Sequence, residues 1–160
     1  MSLDTLRTGL LEGLLHALDR LPGEHDHAQA EHLKTGRDGE LAALFYLRRR
    51  GYTIVARDWK TPRAPGDIDL IAWDGDTLCF VEVKTRTSRA VATAASAVDR
   101  DKRQTLRRLA GQYLRHMPVD TPTRFDVLSI YYAGQDGKQQ RIAPEIECFH
   151  GAFGWSEFQA

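Results

Sequence analysis

The chain has 160 residues, 42% apolar, 9% aromatic and 28% charged, with 13 Gly, 6 Pro and 2 Cys. That length fits one domain with a single core, and the apolar share excludes global disorder, collagen-like repeats and a disulfide scaffold. No apolar run is long enough to cross a membrane. Basic and acidic residues balance at 22 each, so overall charge says nothing about partners. Their distribution says more: residues 1–33 carry a net −4, residues 34–83 balance, residues 84–116 carry +7, and residues 117–160 carry −3. One basic block between acidic ends points to a local surface facing a polyanion, although a solvated arginine-rich helix face accounts for the charge equally well.

In chain order, Leu3, Leu6, Leu10, Leu11, Leu14, Leu15, Leu18 and Leu21 recur at helical spacing, so residues 2–21 are predicted to form an amphipathic helix stopped by Pro22 and Gly23. Asp4, Arg7, Glu12 and Asp19 interrupt the leucines, which argues against a secretory leader. Gly23–His32 reads as a polar linker, its three histidines solvated. A second helix is predicted from Thr35 to Arg50, stopped by Gly51. Tyr52–Lys60 reads as a strand and Thr61–Gly66 as a breaker. Two strands, Asp67–Trp73 and Thr77–Thr85, then form a hairpin about Asp74-Gly75-Asp76. A long helix over 95–117 carries Val98, Leu106, Leu109, Ala110, Tyr113 and Leu114 on its apolar side. Phe125–Tyr132 reads as a strand, Gln135-Asp136-Gly137 as a turn and Gln139–Phe149 as an extended return. Trp59 and Trp73 are assigned to the core. Cys79 and Cys148 read as reduced core thiols, pointing to the cytoplasm.

The run Gly66-Asp-Ile-Asp-Leu-Ile-Ala through Phe80-Val-Glu-Val-Lys-Thr-Arg86 carries the chemistry. Glu82 and Lys84 share one face of an otherwise apolar strand, and two charges there need compensation. The hairpin would bring Asp69 alongside Glu82. Carboxylates converging from adjacent strands make a hard-oxygen site suited to Mg²⁺ or Mn²⁺, with a lysine able to orient water or offset phosphate charge. A self-satisfied buried ion pair is the alternative. Glu40 falls inside the arc set by Leu41, Ala43, Leu44, Phe45 and Leu47. It is either a ligand or a first-turn acid complementing the helix dipole.

These residues resemble the PD-(D/E)XK, or restriction-endonuclease-like, superfamily. Gly36-x-x-Gly39-Glu40-x-x-Ala43, Gly51-Tyr52, Gly66–Ala72, Phe80–Arg86, Arg124-Phe-Asp-Val127 and the helix from Asp101 to Leu114 are similar to the small bacterial YraN family, itself compared with archaeal Holliday-junction resolvases. The resemblance covers about residues 34–153. It implies an α/β fold, a mixed central β-sheet flanked by helices, preceded by the extra N-terminal helix and linker (1–33) and followed by a tail (154–160). It further implies a Mg²⁺- or Mn²⁺-dependent endodeoxyribonuclease acting on DNA, with branched and flapped structures as candidates, and a homodimer by analogy with resolvases. Residue by residue, Asp69 and Glu82 match the metal ligands, Lys84 the catalytic lysine and Glu40 the helix glutamate that completes the site. Asp67 stands where the family usually carries Glu, and Gly66 separates Pro65 from Asp67, so there is no literal Pro-Asp. Arg86, Arg89, Arg100, Lys102, Arg103, Arg107 and Arg108 are candidates for phosphate contacts. A catalytically silent nucleic-acid-binding module and an interaction subunit assembling through the N-terminal helix are the alternatives.

Overall fold

The computed structural model describes residues 24–86, 98–132 and 143–156, with side chains in the first segment from Gly36 onward. The leucine-striped helix over 2–21, Arg89 and the turn at 135–137 lie outside the described residues. Two compact units divide the chain at Met1–Lys34 and Thr35–Ala160. Among the described residues no helix is long and apolar enough to cross a membrane.

Helix α1 spans Glu24–Arg49. It starts well before Thr35, so the stretch expected to be a linker is helical from Glu24. Ala28, Ala30, Gln29, Glu31, Leu33 and Lys34 are all strong helix formers, and no Pro or Gly interrupts them before Gly36. The stop falls where expected. Gly51 takes φ +89°, while Gly51 N–H donates to Arg48 O at 3.1 Å and Tyr52 N–H to Leu47 O at 3.1 Å, the paired bonds of a Schellman motif.

Five strands follow: β1 (Thr53–Thr61), β2 (Ala64–Asp74), β3 (Thr77–Arg86), then, after helix α2 (Arg100–Leu114), β4 (Thr123–Tyr131) and β5 (Glu145–Phe153). They form one mixed sheet in the order β1-β2-β3-β4-β5. Only β3 and β4 are parallel, and α2 lies on the crossover that a parallel pair requires. The hairpin turn at Asp74–Thr77 is as predicted, with Gly75 at φ +57°. The expected breaker Thr61–Gly66 is instead a tight turn at Pro62-Arg63, with Thr61 paired to Ala64, and Pro65 and Gly66 belong to β2. Gly66, at φ +93°, accompanies a register shift between Trp59 and Thr61, the kind of irregularity at which a strand tolerates proline. A second shift falls between Ile54 and Ala56, and Asp58 adopts φ +46°.

Strand alternation sends side chains to two cores. Ile71, Leu78, Phe80, Phe125 and Val127 meet Leu106, Leu109 and Ala110 of α2, with Trp59 and Trp73 packed against them. Leu70, Ala72, Cys79, Val81, Leu128 and Ile130 meet Ala43, Leu44 and Leu47 of α1. The apolar arc expected on α1 is narrower than the sequence suggested, because Leu41 and Phe45 remain 43% and 49% exposed. Helix α2 is shorter than the predicted 95–117: Asp99 caps it by accepting the Lys102 N–H at 2.8 Å, and it ends at Leu114.

A polar cluster ties Tyr52, just before β1, to β2, β4 and β5. Asp126, 1% exposed, accepts from Arg124 Nε at 2.8 Å and from the Gly151 N–H at 2.9 Å. Arg124 Nη2 also donates to Asp74 at 2.8 Å and to the Tyr52 hydroxyl at 3.0 Å, with His150 Nδ1 at 3.3 Å. The Arg124 hydrogen bond holds the Asp74 carboxyl below the ordinary carboxylate range. Beside this cluster, burial pushes the free thiols of Cys79 and Cys148 up to about 12 and about 11, so neither is a ready nucleophile.

Candidate metal and phosphodiester site

The β2–β3 ladder ends at the pair Leu70–Val81. Past that point the Asp69 carboxylate accepts the Val83 N–H at 2.6 Å, supplying a partner where the backbone ladder stops. This places Asp69 close enough to Glu82 for the two charges to repel. Burial first, then Glu82, push the Asp69 carboxyl up to about 7, against the Val83 hydrogen bond and the Lys102 charge that favour ionisation. Glu82 is almost fully buried. Its Oε1 lies 2.8 Å from Lys84 Nζ and its Oε2 lies 3.1 Å from Lys102 Nζ. That second contact lacks hydrogen-bond geometry, which leaves Glu82 Oε2 buried without a hydrogen bond. The sequence arithmetic that put Glu82 and Lys84 on one strand face holds.

Asp67 sits at the edge of the group, 3.6 Å from Lys60 and 3.7 Å from Lys102. Glu40 approaches from α1. Burial, then Asp58, raise its pKa, and its own charge contributes to raising Asp69. With α1 beginning at Glu24, Glu40 lies sixteen residues into the helix. It is no first-turn acid, and the dipole explanation falls away. Gly39, inside α1, carried a packing signal that the sequence reading used only as part of a motif. Glycine inside a helix costs about 1 kcal/mol relative to alanine, so its presence asks for a packing reason. At Gly39 the reason is close approach, since a Cβ there would overlap the Thr85 hydroxyl of β3.

The basic candidates divide. Lys102 is turned onto Glu82 and Asp67 rather than outward. Burial alone would lower its pKa, but Glu82, Asp69 and Asp67 outweigh that and raise it. Arg107 is engaged in packing: its Nε donates to Gly154 O at 2.8 Å and its guanidinium lies over the Phe153 ring at 5.5 Å. Trp155 Nε1 donates to Thr123 Oγ1 at 3.0 Å, so the start of the segment read as a tail is also tied down. Arg103 is half-buried, Arg100 and Arg108 are exposed, and Arg86 is half-buried at the end of β3.

Asp69 carries a pH prediction. Its folded-state pKa lies above the ordinary 3.8, so between there and about 7 the folded state holds more proton than the unfolded state. Stability from this group therefore falls as pH rises through that window and stays low above it. Asp69→Asn keeps an acceptor for the Val83 N–H and removes the charge. In denaturant titrations it is expected to be about 1–3 kcal/mol more stable than wild type near pH 8, with a smaller difference near pH 5. A variant less stable than wild type at pH 8 would show that the Asp69 charge is not under strain.

Comparison with known proteins places the chain in a family. The model of the uncharacterised protein family UPF0102 matches residues 39–130, which include Glu40, Asp69, Glu82, Lys84 and Asp126. A UPF0102 protein of Koribacter versatilis is 50% identical over 136 residues, covering 85% of this chain and 89% of the relative. One from Solibacter usitatus is 44% identical over 119 residues (74% and 84%), and one from Porphyromonas gingivalis is 40% identical over 120 residues (75% and 87%). The chain belongs to the UPF0102, or YraN, family of the restriction-endonuclease-like superfamily.

Proposed function

We propose that the protein is a divalent-metal-dependent endonuclease that hydrolyses DNA phosphodiesters at the Asp69–Glu82–Lys84 site. The observation that carries this reading is a pair of close buried carboxylates, one raised to about 7 by burial and its neighbour, the other already holding an ammonium group against each of its oxygens. Such an arrangement is costly unless something cationic uses it. Among the described residues no group of three or more His, Cys, Asp or Glu side chains is placed to hold a metal ion. A Mg²⁺ ion needs fewer, since it is commonly held by one or two carboxylates with waters and substrate phosphate completing the shell. Asp69 and Glu82 fit that donor set, with Glu40 contributing through a water. The bound cation would polarise the scissile phosphate and favour ionisation of a water.

The chain's own groups do the rest. Lys84 remains against Glu82 Oε1 at 2.8 Å, leaving further N–H donors to orient the attacking water and to offset charge developing on the phosphate. Exposed Arg100 and Arg108 supply sequence-independent attraction for the backbone. Free, reduced Cys79 and Cys148 support a cytoplasmic location. Two symmetric cuts would call for a homodimer.

The test compares wild type and Lys84→Ala on labelled single-stranded, duplex, flap and four-way-junction DNA with Mg²⁺, Mn²⁺ or EDTA. Metal-dependent cleavage lost in the variant and in EDTA is the expected result. Undiminished cleavage by Lys84→Ala overturns the site assignment. A binding module without turnover is the second reading, favoured by the Lys102 ammonium already beside Glu82. It predicts salt-sensitive binding in EDTA and no cleavage with any metal.

A further inference from the structure

We propose that Lys102 is a tethered counter-ion that holds the cation position at Glu82 Oε2 and yields it when a divalent ion binds, coupling cation binding to phosphate binding through one ammonium group. The inference rests on the reading of Asp69 and Glu82 as metal ligands.

The two lysines at Glu82 are held differently. Lys84 is two residues along the same strand, so its 2.8 Å contact with Oε1 follows from β3 itself. Lys102 arrives from a separate element, the first turn of α2, whose position is fixed by the Asp99 cap on its own backbone N–H. Its ammonium lies 3.1 Å from Oε2 without hydrogen-bond geometry and 3.7 Å from Asp67 Oδ1. Its charge is shared between two carboxylates rather than committed to one. Its side chain is 25% exposed, so the flexible four-carbon stem has a route outward.

Charge balance gives the displacement a direction. With Glu40, Asp67, Asp69 and Glu82 ionised against Lys60, Lys84 and Lys102, the group carries one net negative charge. A divalent ion added without rearrangement would bring two positive charges against an ammonium already on the same oxygen. Moving Lys102 off Oε2 removes that repulsion and frees three N–H donors for an incoming phosphate. Lys102 thus acts as a positioning residue that links occupancy of the metal site to readiness for a phosphodiester.

The probe is manganese(II) alone, titrated into the full chain by calorimetry and by the electron paramagnetic signal of the free ion. Lys102→Met and Lys102→Gln are expected to bind Mn²⁺ about tenfold more tightly than wild type. With Mn²⁺ present, they should bind a short phosphorothioate single strand several-fold more weakly. Unchanged or weaker Mn²⁺ affinity in both variants, at an unchanged melting temperature, overturns the proposal while leaving the metal reading intact. Mn²⁺ affinity in wild type that is absent, or indifferent to Asp69→Asn, removes both together. A second measurement needs no variant of Lys102 beyond assignment. In protein labelled with ¹⁵N-lysine, the Lys102 ammonium resonance should move with Mg²⁺ along the same saturation curve as the site. A resonance that stays fixed at saturating Mg²⁺ contradicts the displacement.

Discussion

Asp126→Ala is expected to lower stability by about 3–5 kcal/mol, the cost of removing one partner from a buried, hydrogen-bonded ion pair. In a domain of this size that corresponds to a fall of about 10 °C in melting temperature. The carboxylate is buried to within 1% of complete exclusion, and it accepts from both the Arg124 side chain and the Gly151 backbone. Its loss leaves those donors without their acceptor and loosens the attachment of β5 to β4. Asp74→Asn supplies the contrast. Asp74 bonds the same Arg124 at 2.8 Å but is 41% exposed, so its substitution is expected to cost less than about 1 kcal/mol. Chemical denaturation of the two variants side by side measures the difference. Equal and small losses would mean that Arg124 is adequately held without Asp126.

Glu82→Gln is expected to reduce cleavage by about a hundred- to a thousandfold, comparable to the loss of one electrostatic group from a preorganised site. Its effect on the fold should oppose that of Asp69→Asn. Glu82 is flanked by two ammonium groups, at 2.8 and 3.1 Å, and its neutralisation leaves them facing each other. Both lysines reach solvent, so the expected destabilisation is only about 1–2 kcal/mol. Adding Lys102→Met to Glu82→Gln should recover part of that stability and none of the cleavage. Two neighbouring carboxylates would then share a functional sign and differ in stability sign. Denaturation and cleavage measured on wild type, Glu82→Gln, Lys102→Met and the double variant form a double-mutant cycle, with Asp69→Asn measured alongside. Destabilisation by both carboxylate substitutions would refute this division of charge.

The core of the site was legible because it is local. Asp69, Glu82 and Lys84 belong to one hairpin, whose turn residues and period-two alternation fix both register and facing. What the sequence concealed depends on contacts between distant elements. Lys102 read as one more basic residue on an exposed helix face, since helical spacing says which residues share a face but not where the helix is docked. Arg124 and Asp126 stood out only as a piece of the family resemblance, and their role as a cluster stayed hidden for a similar reason: the partners Tyr52, Asp74 and His150 come from three other places in the chain. Pro65 and Gly66 misled in the opposite direction, as strong breakers by composition that a bulged strand accommodates. At Leu41 and Phe45, apolar character alone placed two exposed side chains in the core.

The irregularities of the outermost strands bear on how molecules of this protein behave toward one another in a crowded solution. A straight outer strand offers a row of free backbone donors and acceptors on which another chain can grow, the first step toward fibrous aggregates. Here β1 carries one register shift at Ile54–Ala56 and the left-handed Asp58, with Arg57 and Lys60 beside it, and its end meets the bulged part of β2, while β5 carries Glu145, Glu147 and a shift opposite Phe125–Val127. Each kink limits the template to a few residues and each charge resists its own copy across the gap. The same bulge that carries Gly66 into β2 next to Asp67 thus shortens the stretch of edge on which a second chain could grow.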